Sequence, residues 1–93
     1  MKIVWDERKR LLNLENRDLD FSDIGVDFFA ASTVVSAKQD RFKAVGEFKG
    51  GIVAVIFKPL GSEAISIVSM RRASRKERNI HDQLKTKASP PHG

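Results

Sequence analysis

Arg71, Arg72, Arg75, Lys76 and Arg78 fall within eight residues, and His81 follows three positions later. Arginine forks match phosphate oxygens, so the cluster has the chemistry of a phosphate cradle. On an extended strand Arg71 and Arg72 point to opposite faces, Arg71 with Ile65, Ile67 and Ser69, and Arg72 with Ser66, Val68 and Met70. On a helix, Arg75, Arg78 and Asp82 share one face, with Asn79 beside them. A seam between strand end and helix start also offers free backbone N–H groups and a positive dipole end, which suit an anion. His81 is the one candidate ahead of the tail whose side-chain type exchanges protons near neutral pH. Lys43 and Lys49 either position phosphate or, if desolvated, share acid–base work. The competing reading is a solvated surface: arginines paired with Glu63, Glu77 and Asp82, His81 beside Asp82, and Lys49 a polar hairpin residue.

The chain that must position these groups has 93 residues, less than one typical domain length. Its composition, 41% hydrophobic and 31% charged, is that of an ordinary globular protein. Residues 1–88 are expected to form one domain, with 89–93 as a flexible tail. The longest apolar run, Ile52 to Phe57, has strand length and not the ~18 residues of a membrane span. Acid and base within the first six residues argue against a secretory signal, so a cytoplasmic location is expected. The absence of cysteine excludes disulfides and thiolate chemistry, and two histidines make a metal site unexpected. No cofactor is expected. Charge is uneven: five basic against seven acidic residues over 1–37, but twelve against five over 38–93. The basic part calls for an anionic partner, nucleic acid first.

Pattern reading gives the elements. Lys2 to Trp5 is a first strand, with Trp5 read as core. Asp6 caps a helix that runs to about Asn16, with Leu11, Leu12 and Leu14 as its buried stripe and Lys9 solvated. Ser22 caps a second helix with Ile24, Phe28 and Phe29 inward and Gly25 in its interior. Strands follow at Ser32–Ala37, Arg41–Phe48, Ile52–Phe57 and Ala64–Arg72, with Lys49-Gly50-Gly51 as a tight hairpin. Ser74 and Glu77 form a capping box that opens a last helix to about Lys87, anchored by Ile80 and Leu84. The order β-α-α-β-β-β-β-α is an α+β domain: a twisted antiparallel sheet covered by two N-terminal helices and one C-terminal helix.

Trp5-Asp6 with Lys9 and Asn13, then Leu19-Asp20-Phe21, Asp40-Arg41, and Ile67 through Arg78 together resemble the BrnT family. The opening W-D-x-x-K-x-x-x-N and the closing S-x-R-x-A-x-x-x-E carry the resemblance, which spans residues 3 to about 84. It implies a RelE-like fold and a ribonuclease toxin of a type II toxin–antitoxin module. Such a toxin would cleave RNA, mRNA above all, without metal, and would stop translation and growth. The implied partner is a BrnA-type ribbon-helix-helix antitoxin, whose complex with the toxin binds operator DNA through the antitoxin. A toxin dimer within that complex is compatible with the resemblance.

Under this reading Arg71, Arg75, His81 and Lys43 are the catalytic candidates, and Arg17, Arg41, Lys49, Arg72, Lys76 and Arg78 the RNA-binding ones. Two positions depart from the family pattern. Arg17 stands where the family often has histidine, and an arginine is no base. His81 stands where it commonly has tyrosine. The alternative function is a non-catalytic RNA- or protein-binding module with a basic seam.

Overall fold

The computed structural model describes residues 1–88, and the tail expected over 89–93 lies outside them. The elements are β1 (Lys2–Trp5), α1 (Glu7–Arg17), a 3₁₀ turn (Phe21–Asp23), α2 (Val26–Ala31), β2 (Thr33–Ser36), β3 (Phe42–Phe48), β4 (Gly51–Leu60), β5 (Ala64–Arg72) and α3 (Arg75–Ala88). The class and order are those expected. Strands β2 to β5 form an antiparallel meander, and β1 joins β5 in parallel, giving a mixed sheet ordered β1-β5-β4-β3-β2.

Local chemistry sets the boundaries. Asp6 caps α1 by accepting from the Arg8 amide at 2.9 Å. The expected second helix is broken in two. Asp20, not Ser22, caps the 3₁₀ turn by accepting from the Ser22 amide, and Gly25 is the cap of α2 and not an interior residue. The β3–β4 hairpin has Lys49 and Gly50 as its two turn residues, with φ of 48° and 81°, while Gly51 already lies in β4. Positive φ at both positions is what a primed turn requires, so the lysine carries strain that glycine would not.

One face of the sheet packs on α1, the 3₁₀ turn and α2. Its core is Leu19, Phe21, Ile24, Val53, Val55, Ile67 and Met70, joined by half-buried Trp5, Phe28 and Phe48. Each large side chain buried there contributes roughly 1.5–3 kcal/mol. A Cβ at Gly46 would lie 2.4 Å from Ser32 Oγ, so glycine lets the end of α2 approach β3. The expected stripe of α1 is corrected: Leu11 and Leu12 are about half exposed, and the residue it buries is Asn13. Asn13 donates to the Leu19 carbonyl at 2.9 Å and accepts from the Met70 amide at 3.1 Å. Since β1 ends opposite Ile67, this side-chain amide takes over where the parallel partner stops and holds β5 next to Arg71.

A β-bulge changes which arginine faces where. Ile56 pairs with Ser69 but Phe57 pairs with Ile67, so Val68 is an extra residue in β5. The extra residue reverses the alternation. Ile65, Ile67, Met70 and Arg72 therefore share the core face, while Ser69 and Arg71 turn to the other. The expected grouping of Arg71 with Ser69 and Arg72 with Met70 holds, but Ile65 and Ile67 fall with Arg72 and not with Arg71. Alternation likewise puts Lys43 on that other face, between the core-facing Phe42 and Ala44. Among the described residues, α3 is the helix that packs there. It does not dock through Ile80 and Leu84, which are 38% and 44% exposed; among its described side chains, Glu77 and His81 are buried.

Candidate active site

The site grows from one row across the sheet. Register aligns Arg71 on β5, Ala54 on β4, Val45 on β3 and Thr33 on β2. The first turns of α3 lie over this row and are fixed at both ends by polar side chains. At one end Glu77 receives a bidentate pair from Arg71, Nη1 to Oε1 at 2.7 Å and Nη2 to Oε2 at 2.9 Å. Lys43 Nζ reaches the same Oε2 at 2.6 Å. At the other end His81 Nδ1 and Thr33 Oγ1 share a hydrogen bond of 2.9 Å. Glu77 and His81 are one helical turn apart, which places them on one side of α3.

The capping box is formed as the sequence indicated. The Ser74 amide donates to Glu77 Oε1 at 2.8 Å, and the Glu77 amide donates to Ser74 Oγ at 3.2 Å. Glu77 thus accepts from Arg71, Lys43 and the Ser74 amide while only 7% exposed. Hydrogen bonding from Arg71, outweighing the effect of burial, holds its carboxyl far below the usual carboxylate range. The same bond raises the Arg71 guanidinium above its ordinary value. A depressed carboxyl stabilises the fold fully above the unfolded-state value of ~4.3, and that contribution is lost as pH falls toward the folded value. Thermal melts should therefore be nearly flat from pH 8 to 5 and drop on further acidification, with a smaller drop for Glu77→Gln. Equal losses between pH 7 and pH 3 in both proteins would count against this linkage.

The expected site residues divide. Arg71 and Lys43 are brought together by Glu77. Arg75, Lys76 and Arg78 are exposed on the first turns of α3 beside them, and Arg41 is half-buried just before β3. His81 is buried, at 4% exposure, which disagrees with a solvated neighbour of Asp82. Its ring lines a groove of about 1210 Å³ together with Phe28, Thr33, Val34, Phe48 and Leu84. Arg72 lies elsewhere, in a hollow of about 360 Å³ with Asp18, Asp20 and Asp23, while Lys49 lines both that hollow and the His81 groove and pairs with Asp23 at 3.0 Å. Arg17 ends α1, exposed, before the left-handed Asp18.

Sequence reasoning gave Glu77 a capping role and, in the competing reading, a surface ion pair with the arginines. It did not foresee Lys43 joining that pair or the burial of Glu77, and it passed over Thr33. The glutamate stood in the closing motif, but nothing local marks it as the meeting point of β3 and β5. Chemically the cluster is two cations held on one carboxylate at the start of a helix, with an imidazole one turn away whose Nδ1 shares a hydrogen bond with a hydroxyl.

Residues 5–77 match the family model described as the ribonuclease toxin BrnT of type II toxin–antitoxin systems. Among solved structures, the crystal structure of the Brucella abortus ribonuclease toxin BrnT is 54% identical, with a TM-score of 0.75 over 81% of this chain and 99% of that one. The comparison with curated proteins finds no match.

Proposed function

The chain belongs to the BrnT family of ribonuclease toxins of type II toxin–antitoxin systems, and we propose that it is a metal-independent endoribonuclease toxin cutting RNA at the Arg71–Lys43 site. Its substrate class is RNA, mRNA in the first place, and its partner is an antitoxin, of the BrnA ribbon-helix-helix type. That antitoxin supplies the operator-DNA contact of the complex. Cleavage takes place in the cytoplasm and halts translation.

One observation carries the reading: two cations from strands two apart meet at the start of α3, with three more basic side chains exposed on that helix. RNA cleavage without a metal needs a base for the 2′-hydroxyl, positive charge for the phosphorane, and a proton for the departing 5′-oxygen. Arg71 and Lys43 supply the charge that a metal would otherwise bring. Among the described residues the Arg71 guanidinium uses Nη1 twice and Nη2 once, which leaves an N–H on Nη2 and that on Nε for a phosphate oxygen. Arg75, Lys76, Arg78 and Arg41 guide the RNA backbone. His81 exchanges the proton, its Nδ1 oriented by Thr33 as catalytic imidazoles commonly are by a fixed partner.

Expressing the chain alone and together with its antitoxin tests the proposal in cells. Growth arrest with loss of RNA, reversed by the antitoxin, is the expected outcome. Unimpaired growth and intact RNA when the chain is expressed alone would favour the non-catalytic binding module instead.

A further inference from the structure

We infer that Glu77 is a positioning residue for RNA cleavage: its carboxylate sets the spacing of Arg71 and Lys43 and so governs the rate of cutting and not the affinity for RNA. This rests on the reading of Arg71 and Lys43 as the cations of the site.

The argument begins with the sheet. Arg71 on β5 and Lys43 on β3 are separated by β4, and Lys43 lies level with Ser69, so their backbones are two strand spacings and two residues apart, ~12 Å. Two long, like-charged side chains on such a base repel and would point apart into water. Both instead touch Glu77 Oε2, Arg71 Nη2 at 2.9 Å and Lys43 Nζ at 2.6 Å, so the two cationic heads meet across a single oxygen. The carboxylate is itself immobilised, because Oε1 accepts from Arg71 Nη1 and from the Ser74 amide, and α3 buries the side chain. The pair is therefore held before substrate arrives, which is the condition for electrostatic stabilisation of a transition state without reorganisation. A carboxylate held this firmly in its ionised form is a poor proton acceptor, which separates it from the acid–base role. Its negative charge also opposes phosphate, so it weakens RNA binding while it orders the groups that bind.

The two effects have opposite signs, and that makes the role testable with purified protein and a single-stranded RNA. Glu77→Gln keeps an acceptor for the Ser74 amide, as the capping box allows glutamine, but removes the charge. Its single-turnover cleavage rate should fall ~10²-fold, the scale of a misplaced catalytic group. Its RNA affinity should stay equal or rise, with a salt dependence at least as steep as that of wild type. Glu77→Asp retains the charge on a shorter arm and should recover part of the rate. Wild-type cleavage by Glu77→Gln, measured where Arg71→Ala is inactive, overturns the inference while leaving the site assignment in place. Loss of affinity in step with rate overturns it as well. Wild-type cleavage by Arg71→Ala would remove the site assignment itself.

Discussion

Arg71→Ala should cut RNA ~10²–10³-fold more slowly than the wild-type chain, the usual loss when one donor to a transition-state oxyanion is removed. The arginine is not a bystander in folding, because it makes a bidentate pair with a buried glutamate. Its removal leaves Glu77 with Lys43 and the Ser74 amide, so the structural cost is moderate, about 1–2 kcal/mol. A domain of this size then melts roughly 4–8 °C lower for each kcal/mol. Rates compared well below that midpoint isolate the chemical effect. Arg71→Lys keeps the charge without the fork and should fall between the two. A variant that melts lower yet cuts at the wild-type rate would assign Arg71 to the architecture of α3 alone.

His81→Ala should lower cleavage by ~10²–10⁴-fold, the range for loss of a positioned proton-transfer group. The substitution also takes the imidazole partner from the half-buried Thr33 hydroxyl, at a cost of about 0.5–1.5 kcal/mol. Thr33→Val separates the two roles: it keeps the imidazole but frees its Nδ1, and should slow cleavage less than removal of the ring. The pH–rate profile of His81→Ala should lose the inflection that an imidazole imposes. His81→Tyr, the residue common in the family, should retain cleavage with the profile displaced upward, since a phenol titrates near ~10. If His81→Ala cuts at the wild-type rate and with the wild-type pH profile, the imidazole serves only to pin α3 to β2.

Much of the scaffold was legible because it rests on local rules. The strand Ala64–Arg72 and the capping box Ser74–Glu77 were read correctly, one from alternation between turn signals and the other from a three-residue spacing. What eluded the sequence is non-local. Ser66 to Ser69 suits a strand with or without a bulge, so the extra residue at Val68, which turns Arg71 toward α3, has no sequence mark. Hydropathy chose Leu11, Leu12, Ile80 and Leu84 as buried anchors, but their helices dock instead through Asn13, Glu77 and His81. Polar residues can do this because each finds its partners on another element: Asn13 the Leu19 and Met70 backbone, Glu77 the two cations, His81 the Thr33 hydroxyl. The basic cluster was recognised as a group, but alternation alone could not show that Arg72 and Lys49 lie among aspartates while Arg71 and Lys43 converge.

The most direct test of the central claim is the end-group chemistry of RNA incubated with the purified chain in excess EDTA. Attack by the neighbouring 2′-hydroxyl, stabilised by Arg71 and Lys43, predicts fragments with 2′,3′-cyclic phosphate and 5′-hydroxyl ends, formed far faster than with Arg71→Ala. RNA that stays intact, or is cut only after a divalent ion is restored, or is cut equally by Arg71→Ala, would contradict it.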